Sequence, residues 1–213
     1  MMDEPASDQP APRPYHHGNL RQAMVQSALA LLKADGLGEL SLRRAAREIG
    51  VSQTAPLYHF GNKLGLLVAV ATEGFHRLLA YRKQLVQAAE TPHDRLHAAM
   101  LAYVEFGLAN PALFRLMTGP DVRNNVHDEA LEAAAGETFG LLRDCVTDYL
   151  RAEGLSVDLA RRAALAAWAT SHGMVTILLD REQSPLLASR RPKQEIAQDI
   201  VEIVIGGIAV MKP

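Results

Sequence analysis

Apolar residues recur every three or four positions through most of this chain, the spacing that lines one face of a helix. Met24, Ala28, Leu31 and Leu32 define a first helix that Asn19 can cap and Gly36 ends. A short helix follows, with a small apolar side made of Ala45, Ala46 and Ile49. Gly50 tolerates the positive φ that a sharp helix-to-helix turn needs, Val51 can plug the corner, and Ser52 can cap the helix beyond. Asn62 opens a long apolar pattern over residues 64–89, with Lys63 in its first turn; Thr91-Pro92 breaks it. Pro92 suits a helix start, and that helix runs to residue 110. Pro111 begins a short helix ended by Gly119-Pro120, and residues 121–125 read as a polar loop. Residues 128–153 form a long helix with Leu131, Phe139, Leu142, Cys145, Val146 and Tyr149 on its apolar side, closed by Gly154. Ser156 caps a helix to about residue 180; 181–192 form a loop and 193–211 the last helix. The pattern predicts an all-α chain of about nine helices, with no convincing strand and no fixed-period repeat.

The most informative stretch is residues 41–63, SLRRAAREIGVSQTAPLYHFGNK. Helix, tight turn, short helix and the start of a third make a helix-turn-helix, whose second helix enters the DNA major groove. With YHHGNLRQAMVQSALALLKADG before it and the long apolar helix after it, this arrangement resembles the DNA-binding domain of the TetR/AcrR family of transcriptional regulators. The resemblance is specific over about residues 15–75 and architectural beyond. It implies a TetR-like fold: a disordered tail over 1–14, a three-helix DNA-binding domain over 15–63, and a larger helical ligand-binding and dimerisation domain over 64–213.

Carried over by position, the resemblance puts Ser52, Gln53, Thr54 and Ala55 at the exposed front of the recognition helix. Gln53 can read a base edge, most naturally adenine. Thr54 suits a phosphate or a thymine methyl. His59 and Lys63 fall where family members hold phosphates, and a helix N-terminus favours an anion at Lys63. Arg43 and Arg44 are further candidates for phosphate or base, and His16 and His17 for a short arm near the backbone. Two positions depart from the family pattern. Leu57 stands where an aromatic, often tyrosine, is usual, and the tyrosine comes one place later at Tyr58. Pro56 lies inside the short helix, so that helix starts either at a Ser52 cap or nearer Thr54.

Composition sharpens this picture. Among 213 residues, 48% are hydrophobic but only 11 are aromatic, which favours helices over strands. Net charge is −2, unpromising for a nucleic-acid binder, yet residues 13–63 carry seven Lys/Arg against three acids. A basic N-terminal module on an acidic body is the expected footprint. The first fourteen residues hold four prolines and no apolar run, so they read as a tail and not as a signal peptide. No window has 18 uninterrupted apolar residues, so no membrane span is expected. The single cysteine, Cys145, lies on an apolar face, reads as a core residue and fits a reducing cytoplasm.

Trp168 followed by His172-Gly173 resembles a C-terminal domain type of the TetR family named for those three residues. The resemblance also implies an inducer pocket in the helical body, for which Tyr103, Phe106, Phe114, Met117, Phe139, Trp168 and His172 are candidates. That lining is mostly apolar, with Tyr103, Thr138 and His172 as polar points, and suits a neutral or weakly polar organic molecule. The last two helices are apolar nearly all round, so each must be buried somewhere. In TetR-like proteins this pair forms the dimer interface. No cofactor is implied. Glu73-x-x-His76 and Glu90-x-x-His93 imitate a di-iron spacing, but the second straddles Pro92 and two further inward glutamates are not evident. His93 and His97 read as a surface pair. The expectation is a regulator and not an enzyme: a repressor that binds a palindromic operator in double-stranded DNA as a homodimer and is released by a small-molecule inducer. The alternatives are a helical interaction protein that has lost operator binding and a metal-dependent helical enzyme.

Overall fold

The computed structural model describes residues 20–123, 127–180 and 191–212. The predicted tail, Asn19, His16 and His17 lie outside the described residues, as does most of the loop at 181–192. Among the described residues all regular structure is helical. The order is α1 (Leu20–Asp35), α2 (Leu42–Glu48), α3 (Ala55–Phe60), α4 (Lys63–Ala88), α5 (Pro92–Ala109), α6 (Pro111–Thr118), α7 (Pro120–Arg123), α8 (Glu129–Ala152), α9 (Ala160–Leu179) and α10 (Lys193–Ala209). Setting aside α7, a single turn of four residues, nine helices remain, as the pattern predicts.

Side-chain caps mark most of the starts. Ser41, Asn62, Thr91 and Asp128 accept the backbone N–H three residues on, at the heads of α2, α4, α5 and α8. Ser156 caps as well, but what it caps is a 3₁₀ turn, Val157–Leu159, and α9 follows it at Ala160. The predicted polar loop at 121–125 begins as helix instead. Pro120 sits at the head of α7 with Asp121 in its first turn, and both favour helix there. The final helix stops at Ala209, two residues early.

α4 is the spine. Its 26 residues span about 39 Å at 1.5 Å per residue. Its first half packs on α1 and α3, and its body packs on α5, α6 and α8. It is long and apolar enough to cross a membrane, yet 56% of its apolar window is buried within the fold, so it reads as a core helix. The core runs through Leu66, Val70, Leu78, Leu96, Met100, Val104, Leu142, Val146 and Leu150, all essentially sealed from solvent. Ala163, Ala164 and Ala167 let α9 close on α5 and α8. At Gly107 an added Cβ would stand 2.5 Å from a Val175 methyl, so the glycine lets the Val175 side chain of α9 pack directly on the α5 backbone.

α9 and α10 bury one side each, through Val175, Leu178, Val201 and Ile205. Their other side is open. Ile177 of α9 and Ile203 of α10 are exposed, Ile203 at 72%, with Val210 just past the end of α10 at 76%, and Gly206 and Gly207 have no neighbour near a built Cβ. A full burial of one such aliphatic side chain is worth about 1.5–3 kcal/mol.

Candidate DNA-facing surface and ligand cavity

The first three helices close around Met24, Ala28, Leu32, Leu40, Ala45 and Ala46, all with almost no exposure. Small residues at 45 and 46 let α2 lie directly against α1, where Ser27 donates its hydroxyl to the Ala45 carbonyl at 3.0 Å. Gly50 takes φ +70°, and the Val51 N–H reaches back to Ala46 O at 3.1 Å. That turn aims the next segment outward. α3 begins at Ala55, with Pro56 in its first turn, so Ser52, Gln53 and Thr54 stand on the turn leading into the helix. The missing N–H of proline is harmless there and disruptive one turn later, which decides between the two starts. Ser52 still caps: its Oγ accepts the Ala55 N–H at 3.3 Å. Pro56 and Phe60 turn inward, while Leu57 and Tyr58 turn out.

Tyr58 is 91% exposed, edge-on to the His59 ring with centroids 5.4 Å apart. Ser52, Gln53, Thr54, Arg43, Arg47 and Lys63 are exposed beside it, with Ala55 and His59 half-buried. Arg44 differs. It is clamped by Asp35 at 2.6 Å and Glu39 at 3.2 Å, tying α2 to the end of α1. The join between α3 and α4 is equally tight. Gly61 takes φ +67°, and an added Cβ at Gly65 would fall 2.0 Å from the Phe60 carbonyl oxygen. This close approach brings the start of α4 against the end of α3, with Lys63, the first residue of α4, exposed.

The bundle also holds a partly open cavity of about 470 Å³. Phe75 and Arg82 of α4, Tyr103 of α5, Met117 and Thr118 of α6, Ala135, Thr138 and Phe139 of α8, and Leu165, Trp168 and His172 of α9 line it. Tyr103 Oη lies 3.0 Å from His172 Nδ1, and Trp168 stacks on the His172 ring with centroids 5.4 Å apart. Burial pushes the Tyr103 hydroxyl up to about 12, so it is neutral in use. Arg82 is 1% exposed. Its Nε donates to Ala99 O and its Nη1 to Thr138 O, both at 2.9 Å, and its Cζ lies 5.6 Å from the Tyr103 ring centre. Its Nη2 is buried and has no hydrogen-bond partner. Burial lowers its proton affinity only to about 10, so the guanidinium remains a cation.

Residues 25–70 match the family described as bacterial regulatory proteins, tetR family, and residues 96–201 match the tetracyclin repressor-like C-terminal domain. The chain belongs to the TetR family. A solved protein of unknown function from Rhodococcus sp. RHA1 is 33% identical, with TM-score 0.77, over 93% of this chain and all of that one. The transcriptional regulator FadR from Bacillus subtilis, solved with stearoyl-CoA, shares the fold at 13% identity, TM-score 0.67, over 87% of this chain and 98% of its own. Nucleoid occlusion factor SlmA of Salmonella dublin is 29% identical over 102 residues, 47% of this chain. The chain spans about half the length of this curated relative, 52%.

For this TetR-family chain Arg43, Ser52, Gln53, Thr54, Tyr58 and Lys63 are exposed, Ala55 and His59 are half-buried, and Arg44 is paired with Asp35 and Glu39. The predicted pocket residues divide. Tyr103, Met117, Phe139, Trp168 and His172 line the cavity. Phe106 does not: three residues beyond Tyr103, it faces a separate cleft between α5 and α10. Phe114 lies behind the wall, edge-on to Tyr103 at 5.7 Å. Arg82 and Phe75 are additions that sequence reasoning missed, and the cation corrects the expected neutral lining. Cys145 is buried, and burial pushes its thiol up to about 11, as suits a core residue. His93 and His97 both approach Glu202 of α10, at 3.4 and 3.2 Å, and Glu73 is held by Arg77 at 2.9 Å.

Proposed function

We propose that this protein is a ligand-responsive transcriptional regulator, acting as a repressor, that binds a palindromic operator as a homodimer. The observation that carries the reading is the outward edge from Arg43 to Lys63. Tyr58 there has an aromatic ring almost wholly in water, a state with no folding benefit. In this reading Gln53 reads a base, Thr54 and Tyr58 meet backbone or thymine methyl, and Ser52, Ala55, His59, Arg43 and Lys63 complete the contact. Arg44 braces α2 from behind. The open apolar side of α9 and α10 supplies the dimer interface, with Gly206 and Gly207 allowing close approach.

Coupling runs through α6. Met117 and Thr118 touch the cavity, and α6 also packs on α1, which carries α2. A ligand that moves α6 therefore tilts the reading head. Two heads must meet half-sites about 34 Å apart, so a small tilt misplaces both.

The test is selection of bound sequences from a random duplex library. A symmetric consensus with two half-sites is expected; no enrichment at low salt would overturn the reading. The SlmA likeness favours a second reading, a nucleoid occlusion factor. That likeness covers 47% of this chain, and the cavity here favours the ligand-responsive regulator.

A further inference from the structure

Arg82 is a fully buried cation with two of its three nitrogens satisfied by backbone carbonyls and the third by nothing. Buried charges are normally paired, because desolvating an ion without a partner is expensive. No carboxylate lines the cavity or touches Arg82 among the described residues. The internal groups able to carry negative charge nearby, Tyr103 and Cys145, both hold their protons at neutral pH, with burial the main cause. The fold therefore keeps a positive charge at a cavity wall and supplies no counter-ion. Its head group lies between Tyr103 and Thr138, which both line the cavity. The remaining wall is mostly apolar or aromatic, with Thr118 and His172 as further polar points, and the cavity volume falls within the roughly 300–1,000 Å³ of small-molecule sites.

We propose that the cavity receives a hydrophobic organic acid, its single anionic group paired with the Arg82 guanidinium and its apolar body held among Phe75, Phe139, Leu165 and Trp168. One guanidinium edge answers one negative charge, so a monocarboxylate fits and a phosphate dianion is left half-answered. The neutral Tyr103 hydroxyl stands on the same wall as a second polar contact. This rests on the reading of the cavity as the ligand site.

Trp168, the sole tryptophan of the chain, stands at the cavity wall 37% exposed, and its fluorescence reports occupancy. The full-length protein is titrated with cyclohexanecarboxylate through cyclohexanebutyrate, each against its neutral amide, by fluorescence and calorimetry. At least one acid is expected to bind about tenfold or more tighter than its amide, the usual worth of a hydrogen bond to a charged group. Arg82→Met should abolish that preference without weakening the amide, and Arg82→Lys should retain part of it. Equal binding of acid and amide overturns the proposal, as does binding of no acid in the series or an acid preference that survives Arg82→Met. The wild-type comparison decides even if Arg82→Met does not fold. Operator affinity is measured alongside: an acid preference with unchanged DNA binding supports the anion site and sinks the ligand-release reading.

Discussion

Two arginines divide this molecule. Arg44, in the N-terminal three helices, is half-buried and answered by two carboxylates, Asp35 and Glu39. Arg82, in the bundle, is far more deeply buried and answered by two carbonyl oxygens alone. The N-terminal helices answer Arg44 among themselves and leave Arg43, Arg47 and Lys63 exposed, as a surface built to meet a polyanion should. The bundle hides an unmet charge beside a cavity. A module that is complete without its partner can be rigid; one that is incomplete gains stability from its ligand, by mass action, whenever the ligand is present. That difference suits a fixed reading head driven by a responsive body.

The sharpest way to break the contrast is at the joint between the two regions. Gly65→Ala puts a Cβ 2.0 Å from the Phe60 carbonyl, a backbone atom that cannot step aside. We expect a loss of roughly 2–4 kcal/mol in the N-terminal domain, in the range of severe steric substitutions. DNA binding should disappear while acid binding in the bundle survives. Denaturant unfolding and the Trp168 titration check this together, and loss of both functions in parallel would mean the regions are not separable. Next in size is Gln53→Ala. It should relax preference at one operator position by about 1–3 kcal/mol, read by repeating the library selection. Unchanged specificity removes Gln53 as a reader.

Lys63→Ala against Arg44→Ala tests the charge argument itself. Exposed Lys63 should weaken binding to every sequence and flatten the salt slope by about one unit. Arg44, spent on Asp35 and Glu39, should leave the slope nearly intact and cost under about 1 kcal/mol of stability. A salt slope that drops equally for both would mean Arg44 leaves its clamp to reach DNA.

The same two regions differ in how much of them the sequence discloses. The helix-turn-helix is written in local grammar. Gly50, Ser41 and Asn62 each act within four residues of their own position, so spacing alone finds them. Even there, the start of α3 waits on Pro56, because a cap and a first-turn proline compete for the same few residues. The cavity is a long-range object, made where five helices face one point. Side chains that share a helix can part company there, as Tyr103 and Phe106 do, since three residues turn the helix about 60° short of a full revolution. Arg82 had a local signal. It follows Leu78 by four positions and Phe75 by seven, a cation on an apolar stripe. Beside Lys83 it passes for part of a solvated run.

The smallest expected effect is on the pH dependence of the bundle. Tyr103 holds its proton up to about 12 in the fold, chiefly through burial, against about 10 when unfolded. A raised value means the native state favours the neutral hydroxyl. Its contribution is intact below pH 10 and drains away as pH climbs toward 12, because the unfolded chain ionises first. Half a unit above pH 10, the loss is roughly 1 kcal/mol. Tyr103→Phe removes this slope. It also removes the 3.0 Å contact with His172 Nδ1, so the variant starts below wild type at neutral pH by about 1 kcal/mol. The two stability curves should therefore converge as pH rises, and denaturant midpoints at a series of pH values measure it. Curves that stay parallel would mean that water reaches Tyr103 freely, which would weaken the case that Arg82 is held away from water behind that wall.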